Sequence, residues 1–248
     1  MSQVLCLGEV LVDQIATEVG ASYDQVKSWT AYPGGAPANV ACGLAKLGTS
    51  SGFIGCVGHD EVGTSLVKLL QDTGVDTTGV QVHPTAPTRQ VYVTRLANGD
   101  RTFAKFSSPG VGGVEGGIEP VFADTLLDAD QLPESLFAEA NFLVLGTLCL
   151  ADPITAQAVQ RALQLAENYY MKVLVDINWR PMFWHDPAIA PNQIRNLLEH
   201  TDFLKVSAEE AEWLFQTTNP FAIAEQHSHL EGVIVTNGEF GKGAIAIR

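Results

Sequence analysis

Short apolar runs alternate with stretches of helical periodicity along most of this chain. Residues 4–7, 52–57, 142–145, 173–176, 203–206 and 233–236 are near-continuous apolar runs of the kind that form buried strands. Between them, 38–47, 61–71, 155–170, 193–198 and 208–215 carry apolar residues at helical spacing. Repeated strand-then-helix predicts an α/β fold, a mostly parallel sheet with helices on both faces. Sheets of this type bind ligands beyond the carboxyl ends of their strands.

One region departs from that rhythm. Residues 89–97 (RQVYVTRLA) and 100–106 (DRTFAKF) alternate with period two around Asn98-Gly99, the strongest short hairpin signal. Residues 13–17 and 29–33 are candidates to pair with this hairpin. Together they predict a small β lid, from about 13–33 and 89–108, inserted in an α/β core that spans 1–248 as one domain. The glycine-rich stretch 109–120 (PGVGGVEGGIEP) has no following lysine and no clean dinucleotide-binding register, so it reads as a linker.

The run Gly34-Gly35-Ala36-Pro37-Ala38-Asn39 stands where a loop becomes a helix. Pro37 suits the first helical turn, and Gly48 suits the helix end. The free N–H groups of that first turn, with glycines that admit close approach, form a mouth for a polar, hydroxyl-rich molecule. An ordinary loop-to-helix entry would carry the same residues.

Composition narrows the field. With 14 Lys+Arg against 28 Asp+Glu, the formal net charge of −14 argues against nucleic acid and anionic membrane surfaces as partners. The first residues lack a basic, then long apolar pattern, and no run reaches membrane-spanning length, so a cytoplasmic location is expected. Cys6, Cys42, Cys56 and Cys149 are scattered in apolar runs and read as reduced core residues. His227 and His229 read as a solvated loop, and no direct metal ligands are assigned.

The glycine mouth extends into GGAPANVACGLAKLG, followed by FIGCVGHDEVG, NGDRTF, VDINWRP, KVSAEEAEWL and VIVTNGEFG. In this order the pieces resemble the ribokinase-like (PfkB) carbohydrate kinase family across essentially the whole chain. Within the family the likeness is closest to fructokinases. The resemblance implies a Rossmann-like α/β domain with a β lid, a sugar beneath the lid, and ATP with Mg²⁺ in an adjoining groove. It also implies cytoplasmic sugar phosphorylation, a homodimer through the β lid, and in some members a monovalent cation.

By that resemblance Asp13 holds sugar hydroxyls, with Gly34, Gly35 and Asn39 completing the sugar site. A carboxylate suits this because it accepts several hydroxyl hydrogen bonds; a strand-end or capping aspartate is the alternative. Arg180 would reach the sugar or phosphate, the alternative being a surface pair with Asp176. Lys105 would add positive charge where fructokinases often carry an arginine and this chain has Ser107. On the nucleotide side the resemblance points to Asn178, Ser207, Glu210, Thr236, Gly238 and Gly241. Glu210 would act on magnesium through water, whereas Ser207 replaces the family's asparagine and, with Glu210, also fits a helix capping box.

The family's Gly-Ala-Gly-Asp motif, which supplies the base, would fall beyond Arg248. A carboxy-terminally shortened chain with little phosphotransfer of its own is therefore expected, with uncovered strands at 233–235 and 244–247. The alternatives are a non-catalytic sugar-binding or regulatory member of the fold, or a kinase for 2-keto-3-deoxygluconate or a nucleoside.

Overall fold

The structure, a computed structural model, describes residues 2–96, 101–107, 121–238 and 242–247, with backbone alone for 101–107 and 242. The Asn98-Gly99 turn, the 109–120 linker and Gly241 lie outside the described residues.

In chain order the elements are β1 (Val4–Leu7), β2 (Leu11–Val19), β3 (Trp29–Gly34), α1 (Ala36–Lys46), β4 (Ser51–Gly58), α2 (Glu61–Thr73), β5 (Asp76–His83), β6 (Gln90–Arg95) and β7 (Arg101–Ser107). There follow α3 (Glu134–Glu139), β8 (Phe142–Gly146), α4 (Pro153–Asn168), β9 (Lys172–Asp176), α5 (Ala190–Leu198), β10 (Phe203–Ser207), α6 (Ala208–Phe215), α7 (Pro220–Gln226), β11 (Gly232–Asn237) and β12 (Lys242–Ile247). The main sheet runs β12-β11-β10-β9-β8-β1-β4-β5, parallel except for β12, which is antiparallel to β11. The expected α/β architecture is present.

Local chemistry sets the helix boundaries. Asp60 accepts from Gly63 N at 2.7 Å to start α2, which ends at Gly74 with φ +92°. Asp152 accepts from Ile154 N at 2.9 Å to start α4, with Pro153 in its first turn. Alternation along β1 then divides the core. Val4 and Cys6 join the layer under α1 and α2, whereas Leu5 and Leu7 join the layer that includes α4–α7.

The second sheet has the order β3-β2-β6-β7, with β2 and β6 parallel and the other pairs antiparallel. Both strand candidates for pairing with the hairpin thus belong to this lid sheet. Sequence patterning missed β5, α7 and the six-residue α3. In β5 the pattern is diluted by Asp76, Thr77, Thr78 and Gly79, and α7 has only seven residues.

The expectation of uncovered strands holds on one face and fails on the other. Val233, Val235 and Ala246 are buried in the same cluster as α6 and α7 residues. Pairing registers carry the opposite face from Val144 through Leu174, Phe203 and Ile234 to Ile245 and Ile247. There Leu174, Phe203 and Ile234 are half-buried, while Ile245 and Ile247 are 55% and 76% exposed. Burying such side chains is worth about 1.5–3 kcal/mol each, so this strip favours association. The purified chain is expected to self-associate, and I245K/I247K to shift it toward monomer in sedimentation velocity. A monodisperse wild-type monomer would contradict this.

Candidate functional site at the sheet switch point

The chain builds β4 and β5 outward on one side of β1, and β8 through β11 on the other. The carboxyl ends of β1 and β8 are therefore the point where the winding changes direction, the place such sheets leave a crevice. A cleft of about 200 Å³ opens there. Its floor is formed by Glu9 after β1, Leu148 after β8, and Asn178 and Arg180 after β9. Asp13, Ile15, Val91 and Val93 of the lid sheet line it from above.

Gly34 and Gly35 form the corner between the lid and α1. A Cβ on Gly34 would lie 2.6 Å from Asp13 Oδ2, so the Asp13 carboxylate rests against this corner. Gly35 has φ +100°, and a Cβ there would lie 2.3 Å from the Glu9 carbonyl oxygen. Only glycine satisfies both demands. Asn39, one turn into α1, donates its backbone N–H to Gly35 O at 3.0 Å and lines the same cleft. Asp13, Gly35, Asn39, Asn178 and Arg180 thus surround one space, with Gly34 against Asp13.

Arg180 donates from Nη1 to Trp179 O at 2.7 Å. The alternative pairing of Arg180 with Asp176 is not what the structure has: Asp176 pairs with Lys205 at 2.8 Å. Asn178 adopts φ +41°, uncommon outside glycine, as the chain turns out of β9 into the cleft. Lys105 is opposite Tyr92 in the β6–β7 register; its side chain lies outside what is described.

Among the residues expected to meet a nucleotide, the Ser207–Glu210 capping box forms. Ser207 Oγ accepts from Glu210 N at 3.2 Å, and Glu210 Oε2 accepts from Ser207 N at 2.8 Å. Glu210 Oε1 also accepts from Trp179 N at 2.6 Å, tying the loop after β9 to the start of α6. Both carboxylate oxygens are engaged by backbone, and each keeps a second lone pair. That donor set fits a water-mediated contact to Mg²⁺ better than direct ligation. Thr236 pairs with Ser207 across β11 and β10, and Gly238 follows the end of β11 with open space around its Cα.

Two charged features escaped sequence reasoning. Glu9 is 6% exposed and accepts from Ala36 N at 2.9 Å; burial pushes its carboxyl up to about 7. Its signal was a lone acid in the apolar run VLCLGEVLV. Arg89 and Asp124 form an ion pair at 2.8 Å with both side chains 7% exposed, and Arg89 stacks over Phe122 at 4.4 Å. No local pattern announces that pair, because its members are 35 residues apart. His227 and His229 lie in the expected loop, His229 exposed and His227 half-buried. His227 meets Phe215 edge-on at 5.4 Å and His229 Nε2 lies 2.8 Å from Leu198 O.

Comparison with known proteins agrees with the fold. The family model described as pfkB family carbohydrate kinase matches residues 1–247, and the chain belongs to that family. It is 32% identical over 242 residues to a protein of Arabidopsis thaliana named probable fructokinase-6, chloroplastic, covering 96% of this chain and 60% of that one. The chain thus spans about three-fifths of that relative's length. The crystal structure of fructokinase from Xylella fastidiosa superposes with TM-score 0.84 at 26% identity, over 100% of this chain and 74% of that one. A putative ribokinase II from E. coli, in complex with ATP and Mg²⁺, gives TM-score 0.81 at 26% identity, over 100% and 78%. Among the described residues no helix is long and apolar enough to cross a membrane.

Two outcomes follow from the corner. Gly35→Ala should cost at least about 2 kcal/mol in denaturant unfolding, because it meets both strain and a backbone clash. Glu9, with a folded value of about 7 against its ordinary 4.5, holds its proton more tightly when folded. Folding stability should therefore decline by about 3 kcal/mol as pH rises from 4.5 to 7. Glu9→Gln should flatten that decline and stabilise the chain at pH 8. A wild-type contribution that rises over the same range would contradict the assignment.

Proposed function

We propose that the cleft binds a neutral sugar, fructose first among candidates, for ATP-dependent phosphorylation of one of its hydroxyls. The convergence of Asp13, Asn39 and Arg180 on one cleft beneath the lid sheet carries this reading. Asp13 accepts hydrogen bonds from sugar hydroxyls, and the Asn39 amide both donates and accepts. Arg180 bears on the oxygen that receives the phosphate, or on the phosphate itself. The apolar walls from Leu11, Ile15, Val91 and Val93 exclude water from that exchange.

ATP would lie along the carboxyl ends of β10 and β11, near Ser207, Thr236 and Gly238, with Gly241 expected to join them by the family resemblance alone. Glu210 would hold water-bound Mg²⁺ there, and the E. coli relative, solved in complex with ATP and Mg²⁺, supports the use of these two ligands. The residues named here bind and orient, and the proton acceptor is assigned to none of them. A second copy would meet this one through the lid face opposite Asp13, where Tyr92 and Trp29 pack edge-to-face at 4.8 Å.

Calorimetry with D-fructose, followed by a coupled ADP-release assay, tests the reading. Saturable fructose binding is expected, weakened by roughly 1–3 kcal/mol in Asp13→Asn, where a neutral amide replaces a charged acceptor. Equal affinity in wild type and Asp13→Asn, or no binding of fructose by wild type, would overturn it.

A further inference from the structure

Glu9 stands in the wall between two spaces. One is the cleft, shared with Asp13, Asn39 and Arg180. The other is a small inner cavity of about 20 Å³, walled in part by Arg89, Asp124 and Cys149. From this position its Oε1 reaches Ala36 N at 2.9 Å, across the Gly34–Gly35 corner. The surrounding backbone is already interlocked. A Cβ on Gly8 would lie 2.6 Å from Pro37 Cγ, and one on Gly35 would strike the Glu9 carbonyl. The corner joins the strand partner of Asp13 to the helix that carries Asn39.

We propose that Glu9 is a positioning residue for the cleft, acting through the Ala36 N–H to fix the corner on which the Asp13-to-Asn39 spacing depends. The inference rests on the sugar-binding reading for its consequence, though not for its geometry. A buried carboxyl is a costly way to satisfy one N–H that water or the lid could serve. Its location explains the cost: opening the corner wets Glu9, and closing it dries Glu9. The charged and titratable groups around it are Arg89, Asp124 and Asp152 of the inner cavity, the Cys149 thiol, and Asp13 and Arg180 across the cleft. Arg89 favours its ionised form and Asp124 opposes it, while desolvation outweighs both. Opening of the corner is therefore linked to proton release from Glu9.

Hydrogen exchange resolved at Ala36, corrected for intrinsic rate, tests this without any ligand. In wild type the protection of Ala36 should fall by about tenfold or more between pH 5 and pH 8, as linkage requires. Glu9→Gln keeps an acceptor without the charge and should hold protection high and level. Glu9→Leu should lose protection throughout; if it fails to fold, wild type and Glu9→Gln decide. In a parallel arm, D-fructose affinity should survive in Glu9→Gln within about threefold and fall about tenfold or more in Glu9→Leu. Level Ala36 protection in wild type, or fructose affinity unchanged in Glu9→Leu, would overturn the assignment. Should wild type retain no fructose, the sugar reading fails by itself, and exchange at Ala36 still decides the role of Glu9.

Discussion

Two stretches of backbone touch at Gly35, and the rest of the site is arranged around that contact. The carbonyl of Glu9, leaving β1, occupies the space where any side chain at position 35 would begin. This brings the lid's entry and the start of α1 within a hydrogen bond of the sheet's switch point. A wider corner would move the first turn of α1, and Asn39 with it, away from the Asp13 carboxylate. Orientation of a bound group to within a fraction of an ångström depends on such rigid joints rather than on the contacting side chains alone.

The lid's other attachment is held by charge. Arg89 immediately precedes β6, where the chain returns to the lid, and Asp124 lies between β7 and α3. Their buried pair is reinforced by rings on two sides, Phe122 at 4.4 Å and Phe183 at 5.0 Å. Such a pair adds little net stability over apolar residues, yet losing one partner costs about 3–5 kcal/mol because a charge is stranded. Val12 N donates to Arg89 O at 3.2 Å and Ala123 N to Pro87 O at 3.0 Å, so backbone bonds bind the same junction. The lid is thus tied to the core at both of its connections.

The parts legible in the sequence were those encoded locally. Strands such as Val4–Leu7 and helices such as Ala208–Phe215 follow from residues next to one another. The Ser207–Glu210 box was equally readable, its partners being three residues apart. What stayed hidden depends on folding. Glu9 matters through Ala36, and Arg89 through Asp124, each separated along the chain by more than two dozen residues. The face of Val233 was likewise misjudged, since only the sheet order shows that α6 and α7 cover it while the opposite face stays open.

Charge inside the cleft also bears on what the proposed site accepts. Asp13 and Glu9 face Arg180 there, and Arg180 is the sole cation among the described residues lining the cleft. A sugar acid would bring a carboxylate against Asp13 with one guanidinium to offset it, whereas a neutral polyol presents hydroxyls that Asp13 can receive. At the carboxyl ends of β10 and β11 the described cation is likewise engaged. Lys205 is committed to Asp176, and at the start of α6 Glu210 N donates to Ser207 Oγ while Ser207 N donates to the Glu210 carboxylate. In a chain of net charge −14, a triphosphate approaching these strand ends meets a field that opposes it. On the proposed reading the positive charge that admits the nucleotide arrives with it, as the bound Mg²⁺. The Glu210 carboxylate, too occupied by backbone to ligate metal directly, then serves to order the water shell of that ion.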